Sequence, residues 1–289
     1  GGSDSAAAAT GVPLSKRSVS PVNPGIAATV AMMPIASLRK RMPPECMDGV
    51  NEDLVPVIAA ARMLVVAGKG GVGKTTVTGL LAVTAAAAGR STLVVELDGK
   101  PTLADRLAAD AGDLPIDVEA LDPGVALERY LAEHGFGRVG GRLRSTGVVD
   151  VVSTAAPGIA DLVVLGQVKQ YERSGRWDTI IVDGPAAGHA LTMLTSASGL
   201  RDAVGGGPVR AQADDVCAML ADPARCNVVL VTLPETTPVT ETIETAFAIE
   251  ERAGVTLGPV VVNAVDDTDV AAFGTAADVT GHPELEAAV

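Results

Sequence analysis

Nine residues, Gly68-Lys69-Gly70-Gly71-Val72-Gly73-Lys74-Thr75-Thr76, constrain this chain more than any other part of it. They follow the apolar run MLVVA and open VTGLLAVTAAAA, a stretch with nothing to stop a helix. Four glycines and two lysines suit neither a core nor an ordinary turn. Gly68 to Thr75 satisfies G-x-x-x-x-G-K-[ST] with a strand before and a helix after, the context in which that spacing means phosphate. Glycines let successive backbone N–H groups converge on an anion, and the start of the next helix adds partial positive charge. In such a loop Lys74 reaches the β- and γ-phosphates and the Thr75 hydroxyl ligates Mg²⁺. The implied ligands are therefore the phosphates of a nucleotide and Mg²⁺.

Composition narrows the rest. Of the six lysines in 289 residues, two lie in this loop, so chance placement is a weak explanation. A net charge of −13 argues against nucleic acid or an anionic membrane as main partner. Aromatics at 2% leave little for base stacking. Three cysteines, Cys46, Cys217 and Cys226, with no close pair, fit a reducing cytoplasmic setting and give no zinc or cluster motif.

RMLVVA, STLVVEL, DTIIVD, NVVLVTL and GPVVVN are continuous β-branched runs, as in parallel strands buried on both faces. Helical stretches alternate with them, which predicts an α/β fold with a doubly wound, mostly parallel sheet. Helices are expected from the loop to Gly89, from Asp122 to about Glu133, over GIADLVVLGQVKQYERSG ending at Gly175, and from an N-cap at Thr237 to about Arg252. The last carries Val239, Ile243, Ala246 and Phe247 on one face. Residues 1–60, rich in Ala, Pro and Ser, read as a disordered leader, and 61–289 as the nucleotide-binding domain, with a helical subdomain within about 123–222.

Two carboxylates close apolar strands, where ligands sit in such sheets: Asp98 in LVVELDGKPTLADRL and Asp183 in TIIVDGPAAGHALTML. Either can hold a metal-bound water or orient the attacking one, or can simply cap the next helix.

Lys69 is not required by the phosphate-loop pattern. With it, the sequence resembles the deviant-P-loop ATPases, a class that includes the MinD/ParA proteins, the nitrogenase iron protein and the ArsA-like ATPases. The ArsA-like branch, and its actinobacterial members in particular, is the better match. Its D-P-A-H-x-x-S-D switch aligns with Asp98, Leu103 and Asp105, and its D-T-A-P-T-G-H switch with Asp183, Pro185, Gly188 and His189. The resemblance, spanning roughly residues 61 to 265, implies a dimer in which Lys69 crosses to the partner's nucleotide. It further implies that Asp98 polarises the hydrolytic water, Asp183 lies near Mg²⁺, and Asn263 of GPVVVNAV meets adenine. The chain departs from the family at Gly99-Lys100-Pro101 and Ala187, which leaves switch geometry and turnover rate open. It lacks the thiolates of arsenite capture and the C-x-x-C clamp and methionine-rich groove of tail-anchored-protein targeting.

The expectation is a cytoplasmic ATP-hydrolysing switch, a homodimer or a heterodimer with a paralogous ATPase, acting on a protein client. A MinD/ParA-like assembly switch with slow turnover is the alternative, and its membrane form is disfavoured by the acidic tail. A non-hydrolysing member of a heterodimer is a third possibility. Arg210, in GGGPVRAQADDV, has no chemical role readable from sequence.

Overall fold

The computed structural model describes residues 55, 58–97, 103–105, 107, 114–131 and 157–265. Six strands, β1 (Met63–Gly68), β2 (Thr92–Glu96), β3 (Ile116–Ala120), β4 (Thr179–Ala186), β5 (Cys226–Thr232) and β6 (Thr256–Val262), form one sheet in the order β3-β2-β4-β1-β5-β6. Every pairing is parallel. The five apolar runs are all strands. β3, IDVEA, went unread because an edge strand half open to water alternates polar and apolar residues instead of running apolar throughout.

Among the described residues the longer helices are, in chain order, α1 (Lys74–Ala87), α2 (Pro123–Leu131), α3 (Pro157–Ser174), α4 (Ala187–Ala203), α5 (Pro208–Ala221) and α6 (Thr236–Ala248). α6 continues through a wider π-helical turn, Ile249–Ala253, and stops at Gly254, whose left-handed φ of 63° closes the helix. Gly89 and Gly175, with φ of 80° and 64°, lie just past α1 and α3, as expected from sequence. The start of α6 differs from expectation, because its N-cap is Glu235, not Thr237. A threonine one residue before proline reads as a cap, but Pro238 is equally at home inside the first turn, where no N–H is needed.

The period-two alternation of β1 divides the core. Met63, Val65 and Ala67 face α3, α4 and α5, whereas Leu64 and Val66 face α1 through Val77, Leu81 and Ala85. Each buried Met, Val or Leu side chain among these contributes roughly 1.5–3 kcal/mol, so both sheet faces pin the carboxyl end of β1 and the loop that leaves it. α6 is different. Pro238 and Thr242 are its buried residues, while of the face expected to be apolar Val239, Ile243 and Phe247 are exposed and Ala246 alone is half-buried against the core.

Candidate functional site

The loop begins where β1 ends between β4 and β5. Val72 drives its side chain into the α1-side core, at 1% exposure, and so anchors the middle of the loop from beneath. Gly73 caps α1 at φ 90°, a left-handed conformation in which a side chain would also collide with the Asn263 amide. The first helical bond runs from Val77 N–H to Gly73 C=O at 3.0 Å, so the N–H groups before it point out of the helix end. No side chain caps that end. Around Gly70 and Gly71 nothing lies within 4 Å of where a side chain would project. An open cradle of backbone donors at an uncapped helix start fits a phosphate chain.

Gly68, Lys69, Gly70, Gly71, Val72, Gly73, Lys74, Thr75 and Thr76 thus form one continuous turn at the carboxyl end of the sheet. Lys74 Nζ folds back over it and donates to the Lys69 carbonyl at 3.3 Å. Lys69 Nζ points away, to Glu241 Oε1 on α6 at 2.8 Å.

Asp183, in β4, is brought to the first turn of α1. Thr75 Oγ1 donates to its Oδ2 at 2.8 Å, and Thr78 Oγ1 to its Oδ1 at 3.1 Å. A hydroxyl and a carboxylate side by side beneath a phosphate cradle are the few oxygen ligands that Mg²⁺ takes from protein, the rest being water and phosphate. Among the described residues no cluster of three or more His, Cys, Asp or Glu could hold a metal by itself. Thr78 was missed in the sequence. It is fully buried one turn beyond Thr75, and its only signal was a hydroxyl amid the apolar residues of α1.

Asp98 lies outside the described residues, two positions beyond the end of β2. Leu103, behind it, is fully buried, and its N–H donates to Glu96 Oε1 at 3.0 Å. Glu96 is itself 3% exposed and stands opposite Asp183 in the β2–β4 register. This carboxylate, also unread, ties Leu103 to β2, the strand paired beside the one that carries Asp183.

Asn263 follows β6 and braces the loop: its Nδ2 donates to the Val72 carbonyl at 2.8 Å, and its Oδ1 accepts from Ala264 N–H at 2.9 Å. Ala264 holds φ 58°, a conformation costly for a residue with a Cβ and found here beside the loop. His189 is exposed in the first turn of α4, and its charge opposes the burial that raises the pKa of Asp161. Arg210 has a structural use. It donates to the carbonyls of Arg201 and Val204 at the end of α4 and pairs with Asp214 at 3.1 Å.

The model of the anion-transporting ATPases matches residues 61–205, half of the chain. This chain belongs to the anion-transporting ATPase family. Among its relatives, ATPase BagA of Mycobacterium tuberculosis is 34% identical over 229 residues, covering 71% of this chain and 66% of BagA. ATPase ARSA1 of Chlamydomonas reinhardtii is 29% identical over 198 residues, 56% of this chain and 25% of that protein. ATPase GET3 of Chaetomium globosum is 30% identical over 152 residues, 50% of this chain and 45% of that protein. The chain therefore spans at most 66% of the length of these three relatives. The mycobacterial match agrees with the actinobacterial resemblance, and the six-stranded parallel sheet is the α/β architecture expected of an anion-transporting ATPase. Among the described residues no helix is long and apolar enough to cross a membrane.

Proposed function

We propose that this member of the anion-transporting ATPases is a magnesium-dependent, ATP-hydrolysing switch that works in the cytoplasm as a dimer and couples its nucleotide state to a protein client. The observation that carries this reading is the Thr75–Asp183 contact of 2.8 Å directly below an open backbone cradle. Membership of an ATPase family supports hydrolysis as the reaction.

In this reading the loop amides of Gly70 to Thr76 and the Lys74 ammonium bind the phosphates, and Thr75 and Asp183 hold the magnesium. Held there, magnesium would supply positive charge that offsets the charge on the phosphates. Thr78 keeps the Asp183 carboxylate turned toward Thr75. Lys69 is donated to the nucleotide of a second subunit, identical or paralogous, and Asp98 orients the attacking water. Asn263 has capacity left for adenine, because its amide retains a second N–H and its oxygen a second lone pair. Phosphoryl transfer needs placed charge more than covalent chemistry. Losing a cation that acts like an arginine finger should therefore lower turnover on the order of 10³-fold.

Phosphate release from Mg-ATP by the purified chain tests this, set beside Lys74→Ala and Asp183→Asn. The expected result is turnover abolished by chelator and reduced at least about a hundredfold in both variants. Turnover that survives Asp183→Asn with its magnesium dependence unchanged would remove Asp183 from the site.

A further inference from the structure

Both loop lysines rest on acceptors of their own subunit: Lys74 on the Lys69 carbonyl, Lys69 on the Glu241 carboxylate 172 positions along the chain. The second contact occupies a strategic place. Gly68, Lys69, Ala187, Leu230, Glu241, Thr242 and Thr245 line one crevice, where the end of β1 meets the start of α4 and the middle of α6. α4 begins four residues after Asp183, and α6 begins four residues after β5. The Lys69–Glu241 pair therefore links the phosphate loop to α6, in a crevice that the start of α4 also lines.

Its strength suits a temporary hold. The two side chains are 44% and 43% exposed, so water screens the pair. Exposed pairs of this kind shift an equilibrium by about 1.4- to fivefold. That is enough to fix where a flexible lysine rests, yet far less than a triphosphate with several charges can offer the same ammonium. A buried pair would trap Lys69, and a bare solvated lysine would carry no bias at all.

We propose that Glu241 is a positioning residue that parks Lys69 on its own subunit and releases it only to a stronger anion, the nucleotide of a second copy of this chain. The inference rests on the reading of Lys69 as a cation donated in trans. In a two-fold dimer both subunits must let go, so the effect is squared. A hold of about 1.4- to fivefold per subunit then weakens nucleotide-dependent association by about twofold to twenty-fivefold. Glu241 thereby opposes dimer closure until both subunits are loaded.

The test is sedimentation of the full chain with magnesium and a non-hydrolysable ATP analogue, comparing wild type with Glu241→Gln, Glu241→Asp, Lys69→Ala and the Lys69→Ala/Glu241→Gln double variant. Glu241→Gln should tighten association by about twofold to twenty-fivefold, Glu241→Asp should stay near wild type, and the double variant should match Lys69→Ala. Association by Glu241→Gln that is unchanged or weaker, or that tightens equally without Lys69, overturns the proposal. Lys69→Ala that associates and turns over like wild type overturns instead the trans-lysine reading beneath it.

Discussion

Thr78 holds Oδ1 of Asp183 at 3.1 Å from a position with no exposure to solvent, so one carboxylate oxygen is fixed by a residue that can touch no ligand. The other oxygen is left to Thr75 at 2.8 Å. Replacing Thr78 with valine keeps the volume and deletes the donor. A hydrogen bond to a charged group contributes about 1.5–3 kcal/mol, so urea unfolding of the nucleotide-free protein should show a loss in that range. Turnover should fall about tenfold with KM for ATP within about twofold, since each 1.4 kcal/mol of misplaced charge is a factor of ten in rate. An unchanged kcat would mean Asp183 needs no bracing.

Asn263 joins the end of β6 to the phosphate loop through the Val72 carbonyl at 2.8 Å. Asn263→Ala should destabilise the apo protein by about 1 kcal/mol. If the amide also meets adenine, the same change should raise KM for ATP much more than KM for a triphosphate whose base lacks adenine's donor–acceptor edge. Steady-state kinetics with ATP and CTP separate the two roles, because a purely bracing Asn263 raises both equally.

The parts of this molecule that were legible in its sequence are those where one constraint repeats over several residues. Four buried strands and the half-buried edge strand β6 show as apolar β-branched runs, and the phosphate loop shows because its glycines, Lys74 and Thr75 must all sit at fixed offsets. β3 was illegible because its IDVEA pattern, half-buried at the sheet edge, is too short to separate from a polar loop. Thr78 and Glu96 were illegible for another reason. Each is a single polar residue in an apolar run, and its meaning comes from a partner strand or a following segment. Glu241 is the extreme case: an unremarked glutamate on a helix of exposed polar residues until the fold carries it to Lys69. Asp98, the most explicit catalytic expectation, falls outside the described residues.

Lys169 is 2% exposed, a charged side chain on α3 satisfied by Gln212 at 2.9 Å and Asp215 at 3.1 Å, both on α5. Removing the carboxylate strands the charge, whereas replacing the lysine removes the demand for one. Asp215→Ala should therefore cost about 3 kcal/mol, the low end for breaking a buried pair because Asp215 itself is half in water. Lys169→Met should lie within about 1 kcal/mol of wild type. The hydrogen bond from Lys169 also holds the Asp215 carboxyl below its ordinary range. Its contribution is present above pH 3.8 and lost as pH falls through the lowered value, so acid unfolding should begin at higher pH in wild type than in Lys169→Met. Urea titrations of the three proteins at pH 7 and across pH 2–5 check both statements.

Cys226, the first residue of β5, is completely buried, and that burial pushes its thiol from an ordinary 9.0 up to about 12. The neutral thiol is the stable form inside, and at pH 8 it should not react with a water-soluble disulfide reagent until the protein unfolds. The pH dependence has a definite sign. Between pH 9.0 and about 12 the folded chain keeps this proton while the unfolded chain loses it, so the unfolded state binds fewer protons and stability falls as pH rises. The limiting slope for one group is about 1.4 kcal/mol per pH unit. Cys217, also raised by burial, adds a component of the same sign. Cys226→Ala should be less stable than wild type at pH 8, by about 1 kcal/mol for the lost packing. It should also lose stability less steeply above pH 9, so that the two curves converge. Chemical unfolding at half-unit steps from pH 8 to 11 decides it: parallel curves would mean that Cys226 ionises as easily inside the fold as outside.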